Sequence, residues 1–410
     1  MDPVGATQRR LPGAVPALDG VRGAAALLVV LTHVGYQTGE TSRGLHGALL
    51  ARADFGVALF FVLSGLLLYR PWVVAEATGT DGPGWGRYYR RRAVRILPAY
   101  WVALLAVLLL ARGDDDRTVG DVVANVTLTQ VYGGGHLLAD FTQTWSLCTE
   151  VLFYLFLPVT AVLVRRVPGP AARVGLLGCV LAVNVVWTAL AATDALPTLA
   201  STWLPGHAVW FAAGMLLAAV AEDATRRAAG RPARWAADFA DRPGTLLLLA
   251  AGTAALAVTP LAGPRTLAPT TPGESVVKEL LYGVVALLVV TAALVAARDS
   301  RVALVLGHPV ARWTGRVGYG VFLWHLLVLD GVMALLDTPL FGGNALPVAV
   351  LTVAGSLLVA WASWVLLERP LLDRLSRPVS TQRGGVGQRR QQQDAEQGQQ
   401  PPGEAARERR

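Results

Sequence analysis

Arg22 and His33 are ionisable residues in an apolar stretch of the sequence, where a charge is costly and is commonly functional. They are separated by 11 positions in LDGVRGAAALLVVLTH. At about 100° and 1.5 Å per residue, a helix places both on one stripe, roughly 16 Å apart. This spacing predicts that the two side chains flank one long channel. The alternative is an arginine that extends its head group to the membrane surface and a histidine with a structural hydrogen bond.

Glu150 is a third ionisable residue in an apolar stretch and lies in TWSLCTEVLFY. An isolated carboxylate inside a membrane needs a partner or a proton. We expect Glu150 at the depth of His33, and a histidine beside a carboxylate is a common form of general base. The structural alternative is a hydrogen bond between two helices.

The segment RYYRRRAVRILPAYW carries a cluster of arginines in a predicted cytoplasmic loop. Arg92 and Arg95 are three positions apart and would face the same way on a helix. Guanidinium groups bind phosphates through paired hydrogen bonds, so this pair could hold a phosphate-bearing substrate. The alternative is a plain topology signal. The cluster consists of Arg87, Arg90, Arg91, Arg92 and Arg95.

Membrane-spanning helices must position these residues, because the chain is too apolar for a soluble protein. Of its 410 residues, 53% are hydrophobic and 16% are charged, whereas soluble domains are about 25% charged. The composition excludes an ordinary soluble enzyme, a disordered chain and a coiled coil. It is typical of helices that face lipid.

Ten apolar runs predict an all-α, polytopic integral membrane protein with about ten transmembrane helices. The third and seventh runs are short for a bilayer that needs about 20 residues. A further segment, Val122–Val131, is too short and polar to cross and is predicted to be interfacial or re-entrant. The ten spans are Val21–Gln37, Phe55–Val74, Ile96–Leu110, Trp145–Val164, Val174–Ala192, Trp203–Ala221, Gly244–Thr259, Val276–Ala297, Val317–Leu336 and Leu346–Leu367.

The basic residues predict that the N- and C-termini are cytoplasmic. With that orientation, all but six of the 36 lysines and arginines lie on the cytoplasmic side, as the positive-inside rule requires. The net charge of +8 is therefore a topology signal and not a nucleic-acid footprint. The six exceptions are Arg43, Arg52, Arg112, Arg117, Arg265 and Lys278.

The domain organisation follows from these patterns. Residues 1–17 are predicted as a cytoplasmic N-terminal segment, 18–372 as the transmembrane domain and 373–410 as a disordered, basic and Gln-rich cytoplasmic tail. His325 lies in a predicted span, where a lone histidine is more often structural, and His207 is a weaker candidate still. No metal-ligand spacing or phosphate-binding loop is present, so no metal is predicted.

Five blocks in this order resemble the membrane-bound acyltransferase-3 family, whose members are ten-helix O-acyltransferases of bacterial surface sugars and antibiotics. Together they extend across residues 18–325, and any one alone would be a weak signal. The blocks are LDGVRGAAALLVVLTH, GVALFFVLSGLLL, RRAVRILPAYW, TWSLCTEVLFYLFLP and GYGVFLWH.

The resemblance implies His33 as the catalytic base and Arg22, Arg92 and Arg95 as binders of the acyl donor's phosphates. The family carboxylate falls on Glu150, which we expect to orient His33. Ser64 and Tyr154 are candidate donors to the developing oxyanion. The supporting positions are Asp19, Ser64, Tyr154 and His325, and the departures from the family pattern, at Ala58, Val151, Gly318 and Phe322, suggest a divergent acceptor site.

The predicted activity is transfer of an acyl group, expected to be acetyl, from acyl-CoA to a hydroxyl of a sugar or antibiotic in the bacterial plasma membrane. Acyl-CoA is then a co-substrate, and no bound cofactor is expected. The alternative is a multi-pass transporter or flippase of a surface glycan or small solute. That alternative explains the hydropathy and the intramembrane histidine and glutamate, but not the paired arginines at the cytoplasmic end.

Overall fold

The computed structural model describes residues 15–111, 117–132, 137–226, 242–266 and 268–376, and within these ranges the chain is helical and contains no strand. Ten apolar helices, labelled α1 to α10 here, correspond one to one with the predicted spans. Their bounds are Pro16–Gln37, Gly56–Thr78, Trp85–Leu110, Trp145–Arg166, Gly169–Ala191, Leu204–Arg226, Pro243–Val258, Pro272–Val295, Pro309–Leu335 and Ala345–Ser363.

The prediction of an all-α, polytopic membrane protein is confirmed. In the described part of the chain, nine helical segments are long and apolar enough to cross a membrane. The tenth apolar helix, α7, has only 16 residues, as the short seventh run predicted. The cytoplasmic placement of the termini stays a prediction, and residues 1–14 and 377–410, which hold most of the N-terminal segment and the tail, lie outside the described ranges.

Proline and capping residues set several helix boundaries. Helices α1, α7, α8 and α9 all begin with a proline, whose missing N–H has no helical partner at that position. Thr271 and Glu274 form a reciprocal capping box at the start of α8. Thr118 and Asp121 do the same for the short helix Val119–Val126, whose eight residues cannot cross a bilayer.

The expected start of the third span was wrong by about three helical turns. Helix α3 begins at Trp85 and not at Ile96, so the arginine cluster lies on the helix and not in a loop. Hydropathy marks only the apolar part of a helix, whereas arginine is itself a good helix former. Arg92 and Arg95 therefore share a rigid face of α3.

Small residues allow the helices that carry the site to pack closely. A Cβ atom on Gly315 of α9 would overlap the Asp19 carbonyl of α1, and farther along the same two helices His325 lies next to His33. Beyond the end of α9, Phe341 N donates to Gln37 O at 2.7 Å. Helices α1 and α9 therefore run parallel and in contact along their length. Gly65 and Gly214 make the same kind of close approach between α2 and α6.

A short 3₁₀ segment, Ala139–Thr144, leads into α4 inside the helix bundle. Gln143 is buried there, and its Nε2 donates to the Leu323 carbonyl of α9 at 3.0 Å. Leu323 is two positions from His325. Helix α4 therefore begins at the depth of that histidine and runs from there toward the arginine side of the bundle.

Candidate active site

A cavity of about 290 Å³ lies between five helices, α1, α2, α3, α4 and α9. It brings together six of the residues predicted from sequence, all with polar or charged side chains. Tyr319 of α9 joins them, and its hydroxyl donates to the Ile96 carbonyl at 2.8 Å. The six predicted residues are Arg22, Ser64, Arg92, Arg95, Glu150 and Tyr154.

The carboxylate of Glu150 is held by two hydroxyl groups. Ser64 Oγ donates to Glu150 Oε1, and the Tyr154 hydroxyl is a second hydrogen-bond partner of the same carboxylate. The charges of Arg92 and Arg22 also act on Glu150. Glu150 is therefore held in place within a cavity that arginines also line.

Three guanidinium groups meet at one end of the cavity. Arg22 Nη1 lies 3.2 Å from Oδ1 of Asp19, one of the predicted supporting residues. Arg92 Nε is buried and has no hydrogen-bond partner among the described residues. Arg95 lies close enough for its charge to act on both other arginines. A cluster of cations with an unused donor suits an anionic group such as a phosphate.

His33 lies beyond the opposite, apolar end of the cavity, where Val57 and Phe322 form the lining. Its Nδ1 lies 2.7 Å from the Val29 carbonyl oxygen and 3.4 Å from His325 Nε2. His325 is completely buried, and the two ring centroids are 5.0 Å apart. The structure therefore pairs the two predicted histidines with each other.

The prediction that Glu150 orients His33 at the same depth is wrong. Among the described residues, Glu150 contacts Ser64 and Tyr154, whereas His33 contacts Val29 and His325. The reason is that Glu150 and His33 lie at different depths in the helix bundle. Because α4 begins at the level of Leu323, seven further residues carry Glu150 about 10 Å along the bundle, toward Arg22.

Asp54 is a charged residue near His33 that the sequence analysis did not consider. It lies in the 3₁₀ turn Ala53–Phe55 that packs on α1, and its charge acts on the His33 ring. Lys278 Nζ donates to Asp54 Oδ2 at 2.8 Å, and the Tyr282 hydroxyl donates to Oδ1. Asp54 immediately precedes the second predicted span, so extending the search for charges by one residue would have found it.

Several other buried acids also lie outside the sequence predictions, and Glu279 and Glu368 are two of them. Glu279, inside the eighth predicted span, lies 3.3 Å from His207 Nδ1, and it meets the same criterion that selected Glu150. Glu368 lies one residue past the tenth predicted span, in the π-helical turn Trp364–Glu368, where it faces the charge of Arg95. In the described ranges, no group of three or more His, Cys, Asp or Glu residues is arranged to hold a metal.

Two of the four departures from the resembled family pattern, Gly318 and Phe322, line the cavity. Both are on α9, one turn apart, between the arginines and the histidine pair. Phe322 fills space with an apolar ring, and Gly318 leaves room next to Arg22, whose Cγ would lie 3.9 Å from a Cβ at this position. These two residues therefore help to set the cavity's shape.

Comparisons with known proteins point to membrane acyltransferases. A family described as an acyltransferase domain matches residues 15–365. The chain is 29% identical to the acyltransferase MdmB of Streptomyces mycarofaciens over 214 residues, which is 48% of this chain and 52% of that protein. No solved structure matches.

Two further relatives carry related names. A Staphylococcus aureus (strain COL) protein named a putative O-acetyltransferase is 31% identical over 163 residues, 36% of this chain and 25% of that protein. BcsY of Komagataeibacter xylinus, named a putative membrane-bound transacylase, is 29% identical over 160 residues, 36% of this chain and 37% of that protein. The chain thus matches about half or less of the length of these relatives.

Proposed function

This chain belongs to the acyltransferase family matched over residues 15–365, and from that premise we propose that it is an O-acyltransferase of the bacterial plasma membrane. It transfers an acyl group, acetyl in the simplest case, from acyl-CoA to a hydroxyl of a carbohydrate or natural-product acceptor. The observation that supports this proposal is the cavity lined by Arg22 of α1 and by Arg92 and Arg95 of α3, since α1 also carries His33.

The arginines account for recognition of the donor. Coenzyme A carries a diphosphate and a 3′-phosphate, and guanidinium groups bind phosphates through paired, charge-assisted hydrogen bonds. The apolar lining beyond the arginines suits the pantetheine arm. On α1 the distance from Arg22 to His33 is roughly 16 Å along the helix axis, about the reach of that arm when extended. Acyl-CoA is in this proposal a co-substrate and not a bound cofactor.

His33 is the general base of the proposed reaction. It removes the proton from the acceptor hydroxyl while the hydroxyl oxygen attacks the thioester carbonyl. The C–S bond then breaks, and the proton leaves His33 with the CoA sulfur. Ser64 and Tyr154, the candidate oxyanion donors, both bind Glu150 here. We therefore assign Glu150 to fixing these hydroxyls and balancing the arginines, and not to orienting His33.

The test uses the purified protein in lipid nanodiscs with acetyl-CoA and a panel of methyl glycosides and macrolides. We expect acceptor-dependent release of the CoA thiol together with an acetyl ester detected by mass spectrometry. His33→Ala should lower the rate about 100-fold or more, because general base catalysis commonly contributes that much. Thermal unfolding of the variant controls for folding.

Two results would contradict the proposal. One is unchanged transfer by a folded His33→Ala protein. The other is acceptor uptake into sealed vesicles with no CoA release for any member of the panel, which is the outcome expected of a transporter or flippase. Because nanodiscs hold no solute gradient, transfer measured there cannot be driven by transport.

A further inference from the structure

We propose that His325 is a positioning residue that holds His33 in the tautomer with its proton on Nδ1, leaving Nε2 as the basic nitrogen. The importance of this tautomer for catalysis rests on the function proposed above. The tautomer itself is a property of the resting protein and can be measured without any substrate. The inference depends on the hydrogen-bonding capacity of four groups around the two rings.

The proton of His325 is located by its own helix. His325 Nδ1 lies 2.8 Å from the Phe322 carbonyl oxygen and 3.1 Å from that of Val321. A carbonyl oxygen can only accept, so Nδ1 must carry a proton. The ring is completely buried, and among the described residues its hydrogen-bond partners are Val321, Phe322 and His33, none of them an acid. A charge there would be costly, so the ring is neutral. A neutral ring protonated at Nδ1 presents a bare lone pair at Nε2.

The proton of His33 is located by the same reasoning. His33 Nδ1 faces the Val29 carbonyl at 2.7 Å and the bare Nε2 of His325 at 3.4 Å. Both of these neighbours are acceptors. If His33 carried its proton on Nε2, three lone pairs would face one another around Nδ1. The arrangement therefore selects the Nδ1–H tautomer, with Nε2 of His33 unprotonated.

Val29 alone does not fix the ring as firmly as the two acceptors do together. Its carbonyl, four residues before His33, also accepts the backbone N–H of the α1 helix ladder. His325 adds an acceptor on a neighbouring helix and so disfavours a flip of the His33 ring about χ2. Because α1 and α9 are in contact along their length, this second acceptor is rigidly placed.

The reaction uses this arrangement in both directions of proton transfer. As the acceptor oxygen bonds to the acyl carbon, its proton moves to His33 Nε2 and the ring becomes an imidazolium. The Nδ1–H bonds to Val29 and His325 then become charge-assisted and stronger. When the C–S bond breaks, the Nε2 proton passes to the CoA sulfur and the neutral tautomer returns. No other reactant is required.

The test compares two substitutions of similar size, His325→Gln and His325→Leu. Glutamine keeps a side-chain oxygen that can accept from His33, whereas leucine does not. We label the histidines with ¹⁵N in the full-length protein in nanodiscs and assign His33, one of six histidines, by its loss in His33→Gln. We expect a protonated Nδ1 and a bare Nε2 in the unmodified protein and in His325→Gln, and mixed tautomers in His325→Leu.

Kinetics provide the second measurement. For His325→Leu we expect kcat to fall about 10- to 100-fold, as when other residues that orient a functional histidine are removed, with KM for acetyl-CoA nearly unchanged. His325→Gln should recover most of kcat. His207→Leu, the same substitution at a buried histidine paired with Glu279, is the control and should leave the His33 tautomer unchanged.

A His33 protonated on Nε2 in the unmodified protein overturns the proposal. So does a His325→Leu protein with the original tautomer, or one in which glutamine fails to recover kcat although the protein is folded. Failure to find any acyl transfer would contradict the proposed function alone, because the ¹⁵N spectra test the tautomer independently.

Discussion

Arg92 has a buried Nε without a hydrogen-bond partner among the described residues, and this unused donor favours a ligand at the arginine end of the cavity. We predict that Arg92→Gln raises KM for acetyl-CoA about 10- to 100-fold, since a hydrogen bond to a charged group contributes about 1.5–3 kcal/mol. The neighbouring Arg91 is exposed, so Arg91→Gln is the matched control. Equal effects of the two substitutions on KM would show that the cluster acts only through its overall charge.

Asp54 presents a negative charge to His33 from the turn before α2. We predict that Asp54→Asn lowers kcat about 10-fold, because a change of about 1.4 kcal/mol in support for the imidazolium alters the rate by that factor. KM for acetyl-CoA should stay within about twofold, since the arginine end is untouched. Asp373→Asn, an isosteric change at a side chain that is 66% exposed, is the control. A selective rise in KM would contradict the assignment.

At the level of helices, the sequence was sufficient to predict the positions of helices from apolar runs and the helix face that charged residues share from their spacing. Hydropathy located ten helices, and the spacing of Arg22 and His33 placed both on α1. The depth at which α4 begins within the helix bundle was harder to predict. The segment before Trp145 is polar, which predicts a position outside the membrane, yet Gln143 Nε2 donates to a carbonyl of α9 inside the bundle. This tertiary contact places Glu150 away from His33, and no local sequence pattern predicts such a contact.

The contact between Gln143 and α9 should therefore stabilise the start of α4. We predict that Gln143→Ala costs about 1–2 kcal/mol, because two backbone carbonyls lose their side-chain donor. The temperature at which a maleimide dye reaches Cys148, a buried thiol on α4, should fall by several degrees in a Cys179→Ser background. Gln37→Ala keeps the backbone bond to Phe341 and should change that temperature little. Equal shifts in the two variants would argue against the anchoring role.

Across the whole molecule, the site has a direction. The arginines lie at one end of the cavity, and the histidine pair lies beyond the other, next to the Asp54 cluster with Lys278 and Tyr282. A single parallel pair of helices, α1 and α9, connects the two ends and carries Arg22, His33 and His325. This polarity suits a donor that enters from the arginine end and an acceptor that meets His33 from the opposite end.

The direction of the site predicts the sidedness of the protein. Thr80 lies in the exposed connection after α2 at the arginine end, and Ser42 is exposed after α1 at the histidine end. In a Cys179→Ser background, a membrane-impermeant maleimide should label Ser42→Cys in intact cells but label Thr80→Cys only after permeabilisation, because the positive-inside rule places the arginine end in the cytoplasm. Acetyl-CoA is made in the cytoplasm, so the opposite labelling pattern would leave the arginine end without its donor and would contradict the proposed direction of transfer.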